Sequence, residues 1–217
     1  MDADKILEGL GSYLGVLLII TFHEFGHAWM ASKCGDDTAR SQGRVSLNPI
    51  AHIDLVGTVI LPLLVVFLSA AGSGLAGFII GWGKPVPVNP ANLRRPRLDD
   101  VLVSMAGPAM NVVLALGVVS LAGLGKLAKV HFLIDLGGPL AQLSMFLCFF
   151  NLLPIPPLDG SRLVRVLTGM SWQTYARLAQ FGFIAVIVVV HVPFVSELLR
   201  RCTRQSVELM ARMVGFG

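Results

Sequence analysis

The chain has 217 residues, of which 54% are hydrophobic and 14% are charged, and its mean hydropathy is +0.74. An average soluble domain is about a quarter charged, so this chain has too little polar surface to cover a water-facing globule. Its net charge of +4 fits lysines and arginines at membrane surfaces, and its polar segments contain no nucleic-acid-binding signature. Composition therefore predicts a protein of the lipid bilayer and excludes nucleic acid as a partner.

Five apolar stretches come close to the roughly 20 residues that a membrane-spanning helix needs. They are residues 9–32, 54–82, 100–123, 137–157 and 178–195. No small-residue cleavage site follows the first stretch, so we interpret it as a retained span rather than a signal peptide. We expect an all-α membrane protein in which residues 1–217 form a single integral-membrane domain, a polytopic bundle of five to six transmembrane helices.

The fourth stretch is interrupted by Pro154, Pro156 and Pro157. Non-helical backbone survives at membrane depth only where it is buried in protein or lines a wet cavity. This segment is therefore expected inside the bundle. The chain should become helical again through Leu167, where a sixth crossing is an alternative.

The connections between the apolar stretches are short. The first, 33–52, is polar and contains Val45-Ser-Leu-Asn-Pro49, which we expect to pair as a short strand or to lie at the interface. The second, 83–100, is rich in arginine and proline and should be an extended crossing at a headgroup surface. Lysines and arginines divide almost equally between the two sides, so the sequence predicts no orientation.

Glycine spacing indicates close helix packing. Gly11 and Gly15 form one small-xxx-small pair, and Gly77 and Gly81 form another. Such pairs let helix backbones approach each other. We favour packing within the chain, with a homodimer interface as the alternative.

The three cysteines, Cys34, Cys148 and Cys202, are widely spaced and form no CxxC pattern. They predict neither a disulfide framework nor a thiolate metal site. We interpret them as unpaired, small hydrophobic residues.

The first apolar stretch contains His23, Glu24 and His27 in the sequence TFHEFGH. Histidines four residues apart on a helix lie on one face and can reach one metal ion, while the adjacent glutamate can take a proton from the attacking water. An acidic side chain at the centre of a spanning helix costs about 2.5–3.5 kcal/mol, so these groups need a compensating partner. The alternatives are a hydrogen-bonded packing network without metal and a transport site.

Catalytic zinc usually has three protein ligands and an open position. Asp159 lies in the sequence NLLPIPPLDG, beside the broken helix that should face the bundle interior, and is our choice of third ligand. The other acids near the spans are explained as solvated or helix-capping groups at probable helix ends; these are Asp54, Asp99, Asp100 and Asp135.

HExxH on one helix with NxxPxxxLDG on a later one resembles the site-2 protease family of intramembrane zinc metalloproteases, peptidase family M50. The segment Gly107-Pro-Ala-Met-Asn111 is also similar to the glycine-containing core helix of that family, so the resemblance covers residues from about 20 to 168. It implies one Zn²⁺ ion bound by His23, His27 and Asp159. It also implies that Glu24 is the catalytic base and that Asn151 helps to polarise the scissile carbonyl, although an interhelical hydrogen bond or a helix cap is an alternative for Asn151.

The resemblance implies a zinc metalloendopeptidase that cleaves transmembrane protein substrates, in regulated intramembrane proteolysis, as a multi-pass protein of a prokaryotic inner membrane. No PDZ domain separates the two motifs, which is expected of a compact form. The rival functions are an ion or metal transporter and a non-catalytic membrane scaffold. A transporter has no need of the non-ligating Glu24. Other HExxH peptidases take a later glutamate as third ligand, but Glu197 and Glu208 follow the last span and should be surface residues.

Four further polar residues have less specific interpretations. Asn111 follows Gly107-Pro108 and is expected to satisfy a carbonyl freed in its own helix. For His52, a solvated or substrate-gating role is favoured over metal binding. His131 and His191 lack a companion at ligand spacing and should be interfacial or packing residues.

Overall fold

Helices dominate the computed structural model, which describes residues 3–70 and 82–215. Within those ranges there is no β-strand. The α-helices described are α1 (Ala3–Lys33), α2 (Thr38–Ser41), α3 (Leu61–Ala70), α4 (Pro96–Ala128), α5 (His131–Asn151), α6 (Asp159–Leu167), α7 (Trp172–Ala179), α8 (Gly182–Val190) and α9 (Pro193–Met213). A π-helix at Leu55–Ile60 precedes α3, and 3₁₀ turns lie at Pro49–His52 and Pro90–Asn92.

Three helices of the described chain are long and apolar enough to cross a membrane. They are Ile6–Lys33 within α1, α4 and α5; the pair formed by α7 and α8, bent by 60°, is a fourth if it counts as one span. The predicted span 54–82 corresponds in part to the shorter apolar helix Leu55–Leu68, and residues 71–81 lie outside the described ranges. The structure thus confirms a helical membrane protein with three to four candidate spans.

The break predicted after the fourth stretch is present. Helix α5 ends at Asn151, a non-helical segment with three prolines follows, and α6 begins at Asp159. At 1.5 Å per residue, the nine residues of α6 extend about 14 Å, short of the roughly 30 Å hydrocarbon core. Helix α6 therefore does not by itself supply a sixth crossing.

Helix α4 packs against both α1 and α5. A buried cluster joins α4 and α5 to the C-terminal helix α9 and consists of Ala115, Val119, Ala141, Met145, Cys148 and Met210. A methyl group built on Gly15 would lie 2.7 Å from Leu140 Cδ2, so Gly15 does pack within the chain, while Gly11 has no such neighbour. The Gly77 and Gly81 pair lies outside the described residues, and a homodimer stays a prediction.

The first connection does not contain the expected strand. After the short helix α2, residues 45–47 form bends and the 3₁₀ turn at Pro49–His52 follows, which leaves an interfacial position as the remaining alternative for this segment. The second connection is non-helical over 82–89, as predicted, but α4 begins at Pro96, before the expected start of the span. All three cysteines are free, as predicted.

Candidate metal centre and active site

Two small residues allow α1 and α4 to approach closely at the candidate site. A methyl group on Gly26 of α1 would lie 2.6 Å from the Ala106 carbonyl oxygen, and one on Gly107 of α4 would lie 2.7 Å from His23 Cε1 and would overlap His27 Nε2. The backbone of α4 therefore forms a wall directly against the two imidazoles. Both histidines are only 8% exposed.

Three potential metal ligands converge at this wall. His23 and His27 lie one turn apart on α1, and Asp159 is the first residue of α6, after the proline-rich segment. Asp159 Oδ2 lies 3.2 Å from His23 Nε2 and 3.3 Å from His27 Nε2, and the two Nε2 atoms are 3.1 Å apart. The structure thus brings together the ligand set that the sequence predicts.

The donor atoms fit a tetrahedral zinc ion. Ligand bonds of 2.0–2.2 Å require donor atoms roughly 3.3 Å apart, which is close to the separations found. Val103 O can only accept a hydrogen bond, and it lies 2.7 Å from His27 Nδ1, so Nδ1 carries the proton and Nε2 presents a lone pair. Asp159 Oδ2 is buried without a hydrogen-bond partner, as expected of an oxygen that needs a cation.

A cavity of about 590 Å³ opens beside the three ligands. Its walls include the extended segment from Trp82 to Val88, the end of α5 and the start of α6. Glu24 lines the same cavity, and a methyl group on Gly83 would lie 3.5 Å from Glu24 Oε1. A carboxylate outside the ligand set therefore faces the space in which a substrate and water would meet.

Comparison with known proteins agrees with this geometry. The family model described as "Peptidase family M50" matches residues 12–126 and 116–192. A Bacillus subtilis (strain 168) protein named "Putative zinc metalloprotease YwhC" is 39% identical over 197 residues, which cover 86% of this chain and 84% of that protein. The chain belongs to peptidase family M50.

Two mycobacterial proteins are also similar to this M50 chain, and both are named "Putative zinc metalloprotease Rip2". The one from Mycolicibacterium smegmatis is 31% identical over 196 residues, covering 84% of this chain and 70% of its own length. The one from Mycobacterium tuberculosis H37Rv is 30% identical over 184 residues, covering 82% and 66% respectively. No solved structure matches the chain. The predicted family is confirmed, and with it a membrane-embedded zinc metalloprotease.

Two asparagines line the cavity, and their side-chain amides differ in hydrogen bonding. The Nδ2 of Asn151 donates a 2.9 Å hydrogen bond to Leu147 O, one turn earlier in α5. Asn111 is fully buried, and among residues 3–70 and 82–215 neither its Oδ1 nor its Nδ2 has a hydrogen-bond partner. The expectation that the Asn111 side chain satisfies a freed helix carbonyl is therefore wrong.

Asp100 is neither solvated nor a helix cap, and the expectation for this residue is wrong. Its side chain is completely buried, and its carboxylate lies 2.7 Å from Arg165 Nη2 and 3.4 Å from Arg162 Nη1. Arg165 in turn lies over the Trp172 ring, 4.0 Å from its centroid. The sequence does not predict this ion pair, because α6 contacts the start of α4 only in the folded chain.

Two other acids that the sequence places at helix ends, Asp54 and Asp99, do accept hydrogen bonds from backbone amides there. Asp54 Oδ1 accepts hydrogen bonds from the Val56 and Gly57 amides at 3.1 and 2.7 Å. Asp99 Oδ2 accepts from the Arg95 amide at 2.7 Å. Neither residue belongs to the metal-competent group.

His52 is buried rather than solvated, which corrects the expectation for this residue. It is 0% exposed, and its Nε2 donates to Ser46 O at 2.8 Å. Burial lowers the pKa of His52 below its usual value, although the hydrogen bond to Ser46 opposes the shift. A neutral His52 thus ties the turn at Pro49–His52 to Ser46, earlier in the same connection.

Proposed function

We propose that this M50 protein is an intramembrane zinc metalloendopeptidase that hydrolyses peptide bonds within or near transmembrane segments of membrane proteins, in regulated intramembrane proteolysis. The main support is the convergence of His23, His27 and Asp159 beside a cavity of about 590 Å³, on helices of membrane-spanning length. The bacterial origin of its relatives favours a multi-pass protein of the cell's inner membrane.

His23, His27 and Asp159 would hold one Zn²⁺ ion per chain. Bound there, zinc supplies a Lewis acid that polarises a peptide carbonyl and lowers the pKa of water towards about 7. The hydrogen bond from His27 Nδ1 to Val103 O keeps the imidazole in the tautomer and orientation that a metal ligand needs. The α4 backbone at Gly107 lies directly against the imidazole rings of His23 and His27 and leaves them no space to rotate towards α4.

Glu24 is the general base of this proposal. Its carboxylate takes a proton from the attacking water and delivers it to the leaving amine, as a positioned acid–base group does. A non-ligating glutamate in the cavity favours hydrolysis over ion transport, which has no use for it. Asn151 can assist because its second Nδ2 hydrogen remains available to the scissile carbonyl, and such a donor contributes roughly 3 kcal/mol in other enzymes.

The decisive experiment compares wild type with Glu24→Gln in one detergent preparation. Metal analysis should find one zinc per chain in both proteins, and only wild type should cleave a model transmembrane substrate. Unchanged cleavage by Glu24→Gln would contradict the proposal. Metal transport into vesicles without any cleavage by wild type would support the transporter instead.

A second pair of variants tests whether Asp159 is the third zinc ligand. Asp159→Ala should lose its zinc because two imidazoles alone bind the ion too weakly. Glu208→Ala should keep it, since Glu208 is exposed and lies on α9. Zinc retained by Asp159→Ala would show that another residue completes the site.

A further inference from the structure

Asn111 occupies the α4 face that forms the wall of the metal site. It follows Gly107, whose backbone lies directly against the two imidazoles, by four residues. Residues four apart on a helix lie on the same face. Asn111 also lines the cavity together with Leu147 and Asn151 of α5, so its side chain is placed one turn along the cavity from the potential ligands.

The Asn111 amide differs from the buried hydroxyl groups of Ser104, Ser144 and Thr21, each of which has a hydrogen-bond partner. Ser104 Oγ donates to Asp100 O, and Ser144 Oγ donates to Asn111 O, both within the α4 and α5 packing. Thr21 Oγ1 donates to Leu17 O on α1. Asn111 alone of these leaves both a donor and an acceptor buried without a partner, which is costly in a protein interior.

A leucine, which has the same branching and number of side-chain heavy atoms but a larger volume, would avoid that cost at this position. The unpaired amide is therefore available to a ligand that enters the cavity. A primary amide has one acceptor oxygen and an NH₂ donor, and a peptide unit has one N–H donor and one C=O acceptor. One asparagine can thus pair with both groups of the same peptide unit.

We infer that Asn111 is a substrate-binding residue whose amide forms two hydrogen bonds with the backbone of the unwound substrate. The inference rests on the proposed function. A transmembrane segment that unwinds loses its internal hydrogen bonds, and lipid offers no replacement. Asn111 supplies a fixed donor and acceptor in the cavity where those groups become exposed.

The test measures binding rather than turnover. Asn111→Leu is made in the Glu24→Gln background, so that substrate binds without being cleaved. The probe is a fluorophore-labelled synthetic transmembrane peptide with a central Gly-Pro pair, titrated in detergent by fluorescence anisotropy. Loss of two hydrogen bonds should weaken binding about 10- to 30-fold, with zinc content unchanged.

Thermal unfolding of the same proteins separates binding from a structural role. Asn111→Leu should unfold at the same temperature as its parent or higher, because an unpaired polar group is removed. Ser144→Ala is the matched control, since it removes a hydrogen bond to the Asn111 backbone and leaves the amide intact. It should lower the unfolding temperature without weakening peptide binding. If leucine does not fit, Asn111→Ala takes its place; its unfolding temperature is expected to fall because the substitution leaves a cavity, so the inference is then decided by peptide affinity at unchanged zinc content.

Equal peptide affinity of Asn111→Leu and its parent would overturn the inference and indicate that water or an internal partner satisfies the amide. If wild type cleaves and the Glu24→Gln parent binds peptide, that result leaves the proposed function standing. If wild type does not cleave and the parent does not bind, the proposed function fails and this inference fails with it.

Discussion

Gly107 is the residue on which the geometry of the metal centre depends most directly. Its missing side chain lets α4 lie against His23 and His27, and the next turn of the same face presents Asn111 to the cavity. The two imidazoles are thereby held between the α4 backbone and the Asp159 carboxylate. A side chain at this position would compete for the space of the ligands themselves.

We predict that Gly107→Ala loses zinc while remaining folded. The new methyl group would overlap His27 Nε2 and approach His23 Cε1 to 2.7 Å, so the rings must move, whereas the helix backbone need not. Zinc affinity should fall at least 10- to 100-fold, the range seen when the surroundings of metal ligands are disturbed. Metal analysis after dialysis measures the effect.

Gly117→Ala on the same helix provides the matched control, since no atom lies within 4 Å of its added methyl group. It should bind zinc as wild type does. Full zinc occupancy in Gly107→Ala would mean that the imidazoles do not have to stay where the structure places them.

At the scale of elements, a buried ion pair fastens α6 to the start of α4. Asp100 is fully buried, and Arg165 is held between its carboxylate and the Trp172 ring. Because α6 begins with Asp159, this junction also determines where the third potential ligand lies. Arg162, one turn after Asp159, completes the contact to Asp100.

We predict that Asp100→Asn is strongly destabilising. The substitution leaves Arg165 without its anion in a site where its side chain is only 11% exposed. Removing one partner of a buried pair costs about 3–5 kcal/mol, and the loosened α6 should also reduce zinc retention. Thermal unfolding in detergent and metal analysis measure the two effects.

The control for Asp100→Asn is Glu197→Gln, which removes an exposed ion pair to Arg200 and Arg201 on α9. Exposed pairs contribute little to stability, so this variant should resemble wild type. Equal effects of the two substitutions would argue that the α4–α6 junction is not a stabilising contact.

A second junction joins the two polar connections through Asp36. Its buried carboxylate accepts hydrogen bonds from the Thr38 amide at 3.1 Å, the Asn89 amide at 2.7 Å and Asn92 Nδ2 at 3.0 Å. Burial alone would raise the pKa of Asp36, but these hydrogen bonds outweigh it and hold the pKa below its usual value of 3.8. The ionised carboxylate therefore stabilises the fold.

This stabilisation should depend on pH in a defined direction. A carboxyl group with a depressed pKa in the folded state contributes stability above its unfolded pKa and loses it as pH falls through the folded value. Asp36→Asn should therefore unfold at a lower temperature than wild type at pH 7, and the difference should shrink below about pH 3.8. Asp37→Asn, at the exposed neighbouring residue, should show a smaller difference at pH 7, and a pH-independent gap for Asp36→Asn would contradict the assignment.

At the scale of the whole molecule, the candidate site lies within a span rather than at its end. His23, Glu24 and His27 belong to the apolar helix Ile6–Lys33, and the cavity is enclosed by α4, α5, α6 and the extended segment from Trp82 to Val88. A peptide bond in an intact substrate helix is hydrogen-bonded and shielded from attack. Under the proposed function, a transmembrane substrate would therefore have to unwind locally to reach the cavity.

We predict that cleavage depends on helix-weakening residues in the substrate. A model transmembrane segment with Gly, Pro or Asn near the scissile bond should be cleaved about tenfold faster than a matched segment with Ala or Leu there, because proline alone destabilises a helix interior by about 3 kcal/mol. Initial rates in one detergent preparation give the comparison. Equal rates for the two segments would rule out local unwinding as a requirement.

The sequence by itself determined the features that depend on short-range pattern. Hydropathy predicted α1, α4 and α5, the four-residue spacing placed His23 and His27 on one face, and the prolines predicted the break before Asp159. These three predictions hold because helical periodicity and proline geometry are properties of neighbouring residues. The α1 and α4 boundaries were less well predicted because polar first turns extend both helices beyond their apolar stretches.

Only the tertiary structure decided which polar groups are buried and which have partners. Asp100 and His52 look like solvated residues in the sequence, yet both are completely buried, Asp100 against the arginines of α6 and His52 in a turn that packs on α1. In the sequence, Asn111 and Asn151 are equally plausible cavity residues. In the described part of the chain, the Asn151 amide donates a hydrogen bond to Leu147 O, whereas the Asn111 amide has no partner. The Asp100 ion pair joins residues of α4 and α6 that are far apart in the chain, so no local pattern contains it. The hydrogen bonds of His52 and Asn151 go to near neighbours in the chain, but which side chains are buried and which are paired is decided only when the helices pack.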